Sequence, residues 1–178
     1  MTSFRIFEII LYSCLNLLPY LGLALYPFAD KLRFSKVKVG LFIFLLLFFQ
    51  TSLGIYATTC SQGQKGMLSL ISTLCYGIFY FFVVKETPGK LIFVLLIVSN
   101  FANFIVICAK WMEAQIFPKM VFDNNSWSFS LCTFVAQIIF IPMLFIYFRK
   151  YIKEIATIET GRKVWRILWL IPANFYLV

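Results

Sequence analysis

The residues of this chain best suited to chemistry inside a membrane are three polar side chains close together in one apolar run. Ser99, Asn100 and Asn103 lie at the middle of LIFVLLIVSNFANFIVICA, which runs from Leu91 to Ala109 without a charge or a proline. On a helix Asn103 is three residues from Asn100 and four from Ser99, so it neighbours both. Amides facing lipid leave donors and acceptors unpaired, so this face is expected to look inward, towards other helices or a wet cavity. Two roles follow. The commoner one is glue between helices, at about 0.6 kcal/mol per bond. The sharper one is a ligand-sensing or gating spot, for which Gln50 and Gln137, each in an apolar run of its own, are further candidates.

Catalytic groups are hard to find. There is no histidine, and Cys14, Cys60, Cys75, Cys108 and Cys132 are scattered without a CxxC. A zinc site or a Cys-His nucleophile pair therefore has almost nothing to be built from. Gly-rich phosphate loops, paired-carboxylate metal motifs and HExxH are missing. No apolar run holds Asp, Glu, Lys or Arg near its centre, which argues against a proton relay or a charge-coupled pump. Glu8 lies near a helix start, and Glu113, Asp123, Glu154 and Glu159 are expected in loops as solvated charges. The residues suggest neither an enzyme, nor a metal, nor a cofactor.

The elements that position these residues follow from composition. Of 178 residues 62% are hydrophobic and only 13% charged, where a soluble domain carries about one quarter charged residues. The apolar residues come in long blocks, so the expected fold is an all-α polytopic transmembrane bundle of one domain, 1–178. About six spans are expected, at 7–28, 39–57, 67–84, 91–109, 128–148 and 164–178. Asn16 and Pro19 interrupt the first, and Pro19 should kink it. The last is short for a span, and the chain is expected to be cut off within its sixth helix. Gly63 and Gly66 suit a tight reversal between the second and third spans, and Pro88-Gly89 another before the fourth. The stretch from Lys110 to Trp127 is expected as a long loop lying on the membrane surface or over a cavity, with a glycosylation-like Asn124-Asn125-Ser126.

The net charge of +9 is placed between the apolar blocks, as topology determinants are, rather than along a basic face with stacking aromatics. Nucleic acid is therefore not an expected partner. The loops after spans one, three and five hold eleven basic residues, against four on the other side. That asymmetry puts the amino terminus outside and the odd-numbered loops in the cytoplasm of a cell whose plasma membrane the chain crosses.

Four phrases carry a resemblance to a known family: LNLLPYLGLALYPFADKLRFSK, VKETPGKLIFVLLIVSNFANF, WSFSLC and the closing WRILWLIPANFYLV. They resemble the membrane sensor domain of GHKL-type sensor histidine kinases of Gram-positive gut bacteria, over nearly the whole chain. The resemblance implies a seven-helix input bundle of a two-component system, followed by a helix with the phospho-accepting histidine and by an ATP-binding domain. It implies a receptor whose helices shift in response to an external or intramembrane signal, a small molecule or a peptide, in a homodimer. The seventh helix, the histidine and the ATP-binding residues lie outside this sequence, so no catalytic residue carries over. Two other classes stay open: the substrate-capture subunit of a vitamin-type transporter, and a structural membrane protein without a ligand.

Overall fold

The computed structural model describes residues 3–120, 127–157 and 162–174. They form α1 (Ser3–Leu25), α2 (Lys36–Ala57), α3 (Gln62–Val83), α4 (Pro88–Ile116), α5 (Trp127–Tyr147), α6 (Lys153–Thr157), α7 (Arg162–Leu168) and α8 (Leu170–Ala173). A 3-10 turn, Tyr26–Phe28, ends the first, and a π-helical turn, Phe148–Ile152, joins α5 to α6. Five stretches are long and apolar enough to cross a membrane: Ser3–Phe28, Lys36–Ala57, Gly63–Val83, Pro88–Ile116 and Trp127–Ile155. The chain is an all-α, multi-pass membrane bundle. Its sixth apolar run forms two short helices, α7 and α8, within the described residues; residues 175–178 and the Asn124-Asn125-Ser126 motif lie outside them.

The inner core belongs to α1, α4 and α5. On α1 the buried stripe runs Ile9, Ser13, Leu17, Tyr20, Leu21 and Ala24, at the three- and four-residue spacing that keeps one helix face inward. On α4 it runs Leu91, Val94, Val98, Ile105 and Ala109, opposite Phe129, Cys132 and Ala136 of α5. Ala109 and Ala136 are wholly buried, and small side chains allow close approach between helices in lipid. The α2–α3 hairpin packs outside this core and shows most of its surface, with Phe44, Phe48 and Ile78 turned outward as lipid-facing groups.

Helix ends differ from the sequence expectation where local hydrogen bonds extend them. α3 starts at Gln62 rather than at Met67 because Ser61 caps it: the Ser61 N–H donates to Gln64 Oε1 at 2.9 Å. The reversal is therefore made by Thr58–Ser61, and Gly63 and Gly66 sit in the helix. α4 begins at Pro88, a good first helical residue because its missing N–H is not needed there. It then runs on to Ile116, so Lys110 to Ile116 is helix and not surface loop. At the opposite end, Leu32 and Val84 form an isolated antiparallel bridge, with Arg33 N–H on Val83 O and Lys85 N–H on Lys31 O, both at 2.8 Å.

Candidate functional site

The polar interior is built around a defect in α1. Pro19 has no N–H, so the carbonyl of Leu15, one turn earlier, loses its helical donor. Gln137 of α5 supplies the replacement: its Nε2 donates to Leu15 O at 2.8 Å, and lies 3.4 Å from the Tyr20 hydroxyl. The same device recurs at the end of α1, where the buried Tyr80 hydroxyl of α3 donates to Ala24 O at 3.0 Å. In a bilayer no water completes such carbonyls, so a side chain from a neighbouring helix must do so.

Around Gln137 the α1–α5 seam is polar along its length. Ser130, Thr133 and Gln137 share one face of α5, at i, i+3 and i+7, and all three are buried. The hydroxyls of Ser130 and Thr133 make no hydrogen bond among the described residues. A buried hydroxyl without a partner costs about 1–3 kcal/mol, so these two are where the seam gains most from a new polar contact. On α1, Glu8, Tyr12, Asn16 and Tyr20 recur at every fourth residue, and the Tyr12 ring packs on Phe129 with centroids 6.0 Å apart.

The seam closes at its amino-terminal end with two carboxylates. Glu8 is buried; it pairs with Arg5 at 2.8 Å and accepts the Trp127 N–H at 3.0 Å. Glu113 is wholly buried; it pairs with Lys110 at 2.7 Å and accepts the Ser128 hydroxyl at 2.5 Å. Lys110 also sits 4.3 Å above the Phe129 ring. Both acids thus hold the first turn of α5, where exposed N–H groups and the helix dipole favour negative charge. Glu113 is therefore not a solvated loop charge. Extension of α4 by two turns carries it back against α5, and the i, i+3 spacing from Lys110 is the sequence signal for its pairing.

The polar residues singled out in the sequence do not converge. Asn100 Nδ2 donates to the carbonyl of Pro172 in α8 at 3.1 Å. Ser99 is half-buried, whereas Asn103 lies with Phe104, Ile107 and Trp111 on the exposed side of α4, not inward. Gln50 is half-buried on α2, one turn before Gly54, which lies against Ile9 of α1. Nearby hydroxyls turn back on their own helices, Thr51 to Leu47 O and Thr73 to Ser69 O. Gln137 alone of the five joins the α1–α5 seam.

Asn100 belongs to a second contact, between α4 and the segment after α5. Gly89 lies against the backbone of Trp165, so close that a Cβ would overlap the Trp165 carbonyl. The Trp165 ring packs edge-on to Phe93 at 5.7 Å and under Lys90 at 5.3 Å. All five cysteines are free thiols, and no group of three His, Cys, Asp or Glu side chains suited to a metal occurs among the described residues. The arrangement can hold helices in register and exchange one hydrogen-bond partner for another. No protein-family model, no curated protein and no solved structure matches the chain.

Proposed function

We propose that this chain is the membrane input domain of a sensor histidine kinase. The observation that carries the reading is the contact between α4 and the segment after α5, through Asn100 to Pro172 and Gly89 to Trp165. A receptor of this kind needs the segments that lead towards its output tied to the bundle by contacts that can be exchanged, so that a signal shifts one arrangement towards another. Side-chain bonds to carbonyls meet that need, since each is worth only about 0.6 kcal/mol. The two unpaired hydroxyls of the α1–α5 seam mark a second place where a ligand would bias the packing. With the basic loops in the cytoplasm, Glu8, Glu113 and the start of α5 face outside, where an external small molecule or peptide arrives.

The test is the reading frame beyond Val178. Continuation into a seventh membrane helix, a histidine-bearing helix and an ATP-binding domain supports the proposal. A stop codon at that point overturns it in favour of a stand-alone membrane protein such as a transporter subunit.

A further inference from the structure

At the basic end of the bundle, charge and backbone geometry combine in a way that topology alone does not require. The bridge between Leu32 and Val84 sets Lys31 opposite Lys85, with Arg33 beside it on the same loop. Like charges directly opposite each other across such a pair repel. One carboxylate serves the cluster: Glu86 meets Lys90 at 3.0 Å and Lys31 at 3.2 Å. Lys85 and Arg33 are exposed and pair with no carboxylate among the described residues. Lys36, Lys38, Arg149 and Lys150 are exposed at the same end. Besides Glu86, the acids there among the described residues are Asp30, exposed and 3.9 Å from Lys153, and the exposed Glu154.

The bridge lies just past the ends of the spans that stop at Phe28 and Val83 and just before those that start at Lys36 and Pro88. That is the depth of lipid headgroups. Two exposed tyrosines, Tyr147 just before the π-helical turn and Tyr151 within it, lie at the same end, as interfacial aromatics do. From this charge complementarity at headgroup depth we infer that the Lys31–Arg33–Lys85 face binds the phosphate of an anionic phospholipid. The headgroup supplies the negative charge that Glu86 cannot, and it stabilises the bridged loops that precede α2 and α4. Basic clusters beside membrane spans recognise anionic lipids in this way.

The test uses the full chain in phosphatidylcholine vesicles doped with spin-labelled phosphatidylglycerol or spin-labelled phosphatidylcholine. The motionally restricted fraction of each label reports lipid held at the protein. The wild type is expected to hold phosphatidylglycerol in excess, with the excess falling as salt screens the charges. Arg33→Gln with Lys85→Gln should abolish it, while Lys65→Gln with Lys119→Gln, at the other end, should leave it intact. Lys85→Arg, which keeps the charge, should also retain it. Equal association of the two labels in the wild type overturns the inference, as does an excess that survives in the Arg33→Gln, Lys85→Gln variant. Inorganic phosphate displacing the lipid beyond the effect of chloride at equal ionic strength would assign the site to a soluble anion instead, and overturns it too.

Discussion

Gln137 donates to the carbonyl of Leu15 at 2.8 Å, the carbonyl that Pro19 deprives of its helical partner. A defect in α1 and an amide in α5 thus complete each other, although they are far apart in the chain. Two neighbouring hydroxyls, Ser130 and Thr133, remain unmatched on the same seam among the described residues. The interior is accordingly stable where it is paired and adjustable where it is not.

This pairing makes a coupling measurable. Gln137→Leu should destabilise the bundle by about 0.6–1.7 kcal/mol, the range for interhelical bonds in membranes. Pro19→Ala restores an N–H for Leu15 within α1, so Gln137→Leu should cost much less in that background. Unfolding in mixed micelles of the four proteins of the cycle checks this. Additive losses would show that Gln137 does not serve the proline gap.

Much of this was legible in the sequence, for physical reasons that also explain the rest. The five long apolar stretches could be read because lipid demands them, wherever their partners lie. Pro19 was visible as a gap in the backbone bonding of the first span, and Gln137 as an amide within an apolar run, but their union depends on the register of α1 against α5, which no local pattern states. Glu113 was misjudged because α4 was expected to end with its apolar run at Ala109. The start of α3 was legible and missed: Ser61 and Gln64 have the spacing of a capping box. Asn103 faces outward because the tertiary contacts of α4, rather than its polar residues, decide its rotation.

The close approach of α7 to α4 rests on Gly89. Gly89→Ala should push Trp165 away from Phe93 and Lys90, since the added methyl meets backbone that cannot yield as a side-chain tip would. The fluorescence of a protein with Trp165 as its sole tryptophan should shift to the red and become more open to quenching by iodide. An unchanged spectrum would show that α7 is not held there.

Acid should loosen the basic end. Partial burial raises the pKa of Glu86, but hydrogen bonds from Lys90 and Lys31, with their charges, lower it further, and the carboxyl is held below its usual range. A folded-state value below the unfolded one means that the stabilisation is complete above the ordinary carboxylate range and is lost as pH falls through the folded value. Wild type should therefore lose thermal stability between neutral pH and that lower window, relative to Glu86→Gln. Parallel curves for the two proteins would remove Glu86 from the balance.

Orientation is open to a direct assay. A reporter active only in the cytoplasm should work at Ser35 and Thr157 and stay silent at Thr59 and Asn125. The reverse pattern would place the Glu8–Glu113 end in the cytoplasm and remove it from any external signal.

The most direct test of the input-domain reading is the output of the full-length protein carrying Asn100→Leu. Loss of the bond to Pro172 removes about 0.6 kcal/mol, too little to prevent insertion. Applied to one of two signalling arrangements, that amount changes their ratio about threefold. Kinase-dependent reporter expression, measured beside the amount of protein in the membrane and with Phe101→Leu as a control without an amide, decides the matter. The account predicts a shifted output at unchanged abundance in Asn100→Leu and no shift in the control; unchanged output at unchanged abundance in Asn100→Leu would contradict it.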